Sequence, residues 1–156
     1  MIARLVWIAD SLSARPWPLR WLPAASLAAA IWWLSSQSRI DTGLELGWWG
    51  VLLANSAHGV VFGALAALVH VALTLPGRRR FLIAVVLASI YGAADEFHQS
   101  FVPGRSPSVL DWWSDTTGAV VGAGVATWAR DSASWALRLA VLGVPLAILS
   151  ALLESL

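Results

Sequence analysis

An all-α, polytopic membrane helix bundle is the fold class this sequence predicts, with about five transmembrane spans behind an amino-terminal interfacial helix. Three observations predict it. Of 156 residues, 58% are hydrophobic and 12% charged, against about 25% charged in soluble domains, and the mean hydropathy is +0.71. Apolar stretches of membrane-crossing length alternate with short turns rich in Pro, Gly and Arg. The 11 Trp residues gather near the ends of those stretches, where amphipathic rings settle at headgroup level. There is no cysteine, which excludes a disulfide framework, a thiolate metal site and a Cys nucleophile. No internal repeat or second domain is visible, so residues 1–156 read as one unit.

Each element follows in order. In residues 1–15, Ile2, Leu5, Val6, Ala9 and Leu12 recur at helical spacing with Arg4 and Asp10 elsewhere on the wheel, which predicts a helix lying in the interface. Pro16 and Pro18 are expected to stop it. A first span covers residues 21–37 and closes with Ser35, Ser36 and Gln37. Residues 39–50 form a turn-rich loop ending at Trp48 and Trp49. The second span, residues 51–75, carries His58 near its start, His70 near its end, and Gly59 with Gly63 as a small-xxx-small pair that admits a neighbouring helix. Pro76 to Arg80 reads as a tight basic turn, expected to fix topology and meet anionic lipid. The third span covers residues 81–101, and residues 102–109 are irregular. A fourth span, residues 110–128, opens with Asp111 and Asp115 and continues with Gly118 and Gly122 on one face. Arg130 and Asp131 make a polar turn, and residues 135–153 form a fifth span in which Pro145 can kink the helix.

The third span is the informative one. Its Leu, Ile, Phe and Val residues return roughly 4 kcal/mol on insertion scales, against a cost of up to about 6 kcal/mol for Asp95 and Glu96 at mid-bilayer. The two acids therefore belong near the span's end, beside neighbours or water that accept them. Arginine in the short loops divides eight against two, which predicts a cytoplasmic amino terminus and an extracytoplasmic loop around Arg105. With that topology, Asp95 lies roughly 9 Å and His58 roughly 10 Å below the outer surface. Asp115 falls in the same layer, and Ser36 and Gln37 stand at its rim. Asp95, His98 and Gln99 share a stripe, while Glu96 is rotated by about 100° and must meet a different neighbour.

Ser35 to Ser38, His58, the run from Asp95 to Ser108, Asp111 and Gly118 together resemble the VanZ-like membrane proteins, over about residues 25–128. The resemblance implies a small bacterial envelope protein of several spans, linked in one member to teicoplanin resistance. It implies that the matched positions form the site. The amino-terminal helix and last span lie outside it.

Two chemistries are open for that site, with transport and a purely structural role beside them. In the first, Arg105 clamps a phosphate, and Ser36, Gln37, His58, Gln99, Ser108, Asp111 and Asp115 hold a polar lipid headgroup or lipid-linked envelope precursor. In the second, Asp95, Glu96 and His98 act as membrane-embedded acids and bases, and the Asp95–His98 spacing offers two ligands to a hard or borderline metal. The sequence assigns no cofactor and no complete metal ligand set. Membrane lipids are the expected partners and nucleic acid is not. Arg105 can also pair with Asp111 to lock the loop. His70 reads as an interfacial residue.

Overall fold

The computed structural model describes residue 11, residues 14–38 and residues 47–154. The interfacial helix expected in residues 1–15 falls almost wholly outside the described residues. Among those described there are helices and no strand: α1 (Trp17–Ser35), α2 (Gly47–Ala72), α3 (Gly77–Gln99), α4 (Val109–Asp131) and α5 (Ser134–Glu154). One of them, α3, is long and apolar enough to cross a membrane, and shorter apolar helices cover Ala57–Ala72 and Ser134–Ser150.

Helix boundaries depart from the sequence expectation in instructive ways. Pro18 also opens the next helix. It lies in the first turn of α1, behind Pro16 at the N-cap, where a missing N–H costs nothing and the fixed φ suits helix entry. Gly47 to Gly50 belong to α2 rather than to the loop before it. Pro76 caps α3, so Arg78 to Arg80 are helical instead of forming a turn. Arg130 and Asp131 are likewise the last turn of α4, which Ser132 terminates with φ 51°. Gly104 supplies the one left-handed glycine of the 100–108 loop, φ 78°, a conformation that side chains disfavour.

Packing is set by small residues. A Cβ at Gly63 would stand 2.9 Å from the Gly118 carbonyl oxygen, and one at Gly118 or Gly122 would collide with the backbone of Gly59 or Gly63. Helices α2 and α4 therefore touch backbone to backbone, the small-xxx-small contact anticipated from Gly59 and Gly63. On the other side of α4, a Cβ at Gly124 would meet the Ala136 carbonyl of α5 at 2.8 Å. The apolar core fills the space among α1 to α4 with Ile31, Phe62, Leu65, Ala66, Phe81, Ala84, Ala119 and Ala123. Large apolar side chains such as Val60, Ile90, Phe97, Leu142 and Ile148 point outward.

Three contacts brace the end of the bundle where α3 starts and α4 finishes: a part-buried ion pair, a cation–π contact and a buried hydrogen bond. Arg80 is 5% exposed and donates from one terminal nitrogen to both Asp131 carboxylate oxygens at 2.9 and 3.0 Å. It is a strut between two helix ends, where the sequence suggested a lipid-facing charge. Arg78 lies 5.7 Å from the Trp135 ring centroid, a cation–π contact to α5. His70 is not interfacial as expected. It is fully buried, with Nε2 2.9 Å from Thr127 Oγ1 on α4.

Candidate functional site

The opposite ends of these helices bring the acidic, histidine and glutamine side chains together. Asp95 is fully buried, and its Oδ2 accepts from Ser35 Oγ of α1 at 2.8 Å and from Gln99 Nε2 at 3.0 Å. Gln99 lies one helical turn beyond Asp95, and its Nε2 also reaches Glu96 Oε1 at 3.5 Å. Glu96 faces away from α1, as its rotation on the helix requires. Its Oε2 accepts from the backbone N–H of Ser108 at 2.7 Å.

That last bond resembles a capping box supplied from another helix. Ser108 is the N-cap of α4 and its hydroxyl accepts from the N–H of Asp111 at 3.1 Å. Two N–H groups at the start of α4 are satisfied, one by Glu96 and one by Ser108. Glu96 thereby fixes where α4 begins, and hence where Asp115, about two turns further on, is held.

Asp115 meets His58 across the glycine contact. His58 precedes Gly59, and Asp115 precedes Gly118 by one turn, so backbone contact between α2 and α4 draws the two together: His58 Nδ1 lies 3.4 Å from Asp115 Oδ1. Ligand atoms of His58, Glu96 and Asp115 all lie within 4.8 Å of one another. A polar chain thus runs from Ser35 through Asp95, Gln99 and Glu96 to the His58–Asp115 pair, spanning four helices.

The remaining candidates lie around this chain rather than in it. His98 stacks on Trp32 with ring centroids 4.0 Å apart, and its Nε2 lies 2.9 Å from Ser36 Oγ. Asp95 and His98 share a stripe, but each engages a different serine of α1, so they do not form the two-ligand metal pair that their spacing suggested. Gln37 turns its side-chain amide back to the Trp33 carbonyl and contributes its own carbonyl, which accepts from Arg105 Nε at 3.2 Å. Arg105 thereby ties the 100–108 loop to the end of α1.

Beside the chain lies a cavity of about 190 Å³ among α1, α2, α3 and the Arg105 loop. Ile31, Leu34, Val61 and Phe62 form its apolar wall, and Ser35, His58, Gln99 and Arg105 its polar groups. Of the serines that the resemblance matched, Ser35 is the one that reaches the buried Asp95. Its i+4 relation to buried Ile31 was the available signal that Ser35, more than Ser36 or Gln37, faces inward.

A family model described as VanZ/LLP1 matches residues 6–130. Every candidate site residue falls within the match, which also takes in the amino-terminal segment that the resemblance had been expected to exclude. Neither a curated protein nor a solved structure matches the chain.

Proposed function

Because the chain belongs to the VanZ/LLP1 family, we propose that it is a multi-pass protein of the bacterial inner membrane whose cavity receives the polar head of an anionic lipid or lipid-linked envelope precursor. One observation carries this reading: a single cavity has an apolar wall on one side and Ser35, His58, Gln99 and Arg105 on the other. That is the division an amphiphile requires. Arg105 uses Nε to hold the Gln37 carbonyl, which supports a role for its terminal amino groups in clamping a phosphate.

The outward-facing Val60, Ile90, Phe97 and Leu142 suit a hydrocarbon surround better than water. We take all five helices to span, with arginine on one side setting a cytoplasmic amino terminus and a cavity open to the extracytoplasmic side. The reading is in keeping with the teicoplanin-resistance link that the resemblance implies. Transport has less support, since the buried residues of α2 between His58 and His70 are Phe62, Gly63, Leu65, Ala66 and Val69, an apolar stretch of about 18 Å. A second reading, acid–base chemistry on a lipid-linked substrate, is favoured by the mutual approach of His58, Glu96 and Asp115.

Native mass spectrometry of the protein extracted from its membrane tests the binding reading. The wild-type chain should retain a specific phosphorylated lipid and Arg105→Ala should retain at least about tenfold less, the value of a charge-assisted hydrogen-bonding group. Equal lipid content in the two proteins would refute it.

A further inference from the structure

His58, Glu96 and Asp115 come from three different helices, and two of the three are carboxylates that are at least 94% buried. Like charges at this range repel unless positive charge stands between them. With His58 deprotonated, as a metal ligand must be, its imidazole and the two carboxylates carry the charge that one divalent cation cancels. His58 Nδ1 is a buried atom that meets Asp115 Oδ1 in an ion-pair contact of 3.4 Å, longer than the ~2.7–3.2 Å of an N–H···O bond. That separation is close to the edge of a ligand tetrahedron, roughly 3.3 Å when each ligand stands about 2.0–2.1 Å from the ion, and the whole set, within 4.8 Å, has to draw in around an ion. Gly92 keeps the space beside the carboxylate clear: a Cβ there would lie 3.1 Å from Asp115 Oδ2.

We propose that His58, Glu96 and Asp115 form a binding site for a divalent cation of the zinc type, with each of α2, α3 and α4 supplying one ligand. One imidazole with two carboxylates suits a borderline cation, and three protein ligands leave a position for water or a further oxygen donor. The Glu96 oxygen bonded to Ser108 N–H holds that carboxylate in place, as an outer-shell bond does at a metal site. His58 also lines the cavity, so the cation borders it. In that position it faces a phosphate together with Arg105, an extension that rests on the lipid-head reading although the site itself does not.

Zinc uptake by the purified full-length chain, stripped with chelator in detergent and titrated with Zn²⁺ without added lipid, tests the site. One zinc per chain is expected, with affinity falling at least tenfold in Asp115→Asn and in Glu96→Gln, and unchanged in His70→Asn at the far end of α2. His58→Gln, altering a partly exposed residue, provides the same test should a carboxamide variant fail to fold, and cobalt substitution should give a visible absorption band that His58→Gln lacks. A wild-type chain that takes up no zinc, or variants that bind it as tightly, would overturn the site. Zinc uptake without a retained lipid would leave the site standing and overturn the lipid reading, and a retained lipid without zinc uptake would do the reverse.

Discussion

The glycine contact between α2 and α4 makes a prediction with its own internal control. At Gly63 a Cβ would stand 2.9 Å from the Gly118 carbonyl oxygen, whereas at Gly59 it would meet only Ser114 O and Oγ, each at 3.5 Å. Both glycines lie on one helix, so the gain of about 1 kcal/mol in helix propensity from Gly→Ala cancels between them. What remains is the clash. Ordinary contact begins near 3.4 Å, so Gly63→Ala must push the α2 and α4 backbones apart by roughly half an ångström, an overpacking cost of about 1–3 kcal/mol. At ~2–4 °C per kcal/mol, Gly63→Ala should melt on the order of 5 °C below Gly59→Ala when both purified proteins are heated in the same detergent. The same displacement would lengthen the His58–Asp115 approach from 3.4 Å, so Gly63→Ala should also weaken zinc uptake while Gly59→Ala does not. Equal melting of the two variants, or a less stable Gly59→Ala, would refute the backbone contact as the device that assembles the site.

Other consequences can be checked separately. Asp131→Ala leaves the buried Arg80 guanidinium without its carboxylate and should cost about 3 kcal/mol, seen as a lowered melting temperature that Arg80→Leu in the same chain partly restores. Thr127→Val removes the bond to buried His70 and should cost about 1–3 kcal/mol, measured the same way, with the Arg105 site and lipid retention unaffected. The chain has no cysteine, so single substitutions report topology cleanly. Ser106→Cys should react with an impermeant maleimide added outside intact cells and Arg79→Cys only after permeabilisation; the reverse pattern would invert the proposed orientation.

Much of this arrangement was legible in the sequence because a few local rules govern it. Hydrophobic runs interrupted by Pro and Gly marked the helices, and the 100° step between Asp95 and Glu96 separated a carboxylate facing α1 from one facing α4. The Gly59, Gly63, Gly118 and Gly122 pattern announced a close helix contact, although only the structure pairs those glycines with one another. What was missed depended on partners distant in sequence. His70 read as interfacial because Thr127, 57 residues on, could not be paired with it from spacing. Arg80 read as a turn residue meeting anionic lipid because a basic residue between two spans usually faces headgroups. An acid at the far end of α4 was the hint that Arg80 had a partner. The Asp95–His98 spacing fixed a shared stripe and not a shared ligand, since adjacent serines on α1 take one side chain each.

The most direct test is photochemical. A phosphorylated lipid carrying a diazirine near its head, incorporated with the purified protein into nanodiscs and illuminated, should label peptides containing Leu34 and Val61, at the apolar wall of the cavity, and labelling should fall in Arg105→Ala. Labelling spread evenly over the outward-facing positions Ile90, Phe97 and Leu142, and indifferent to Arg105, would contradict a lipid head seated in the cavity.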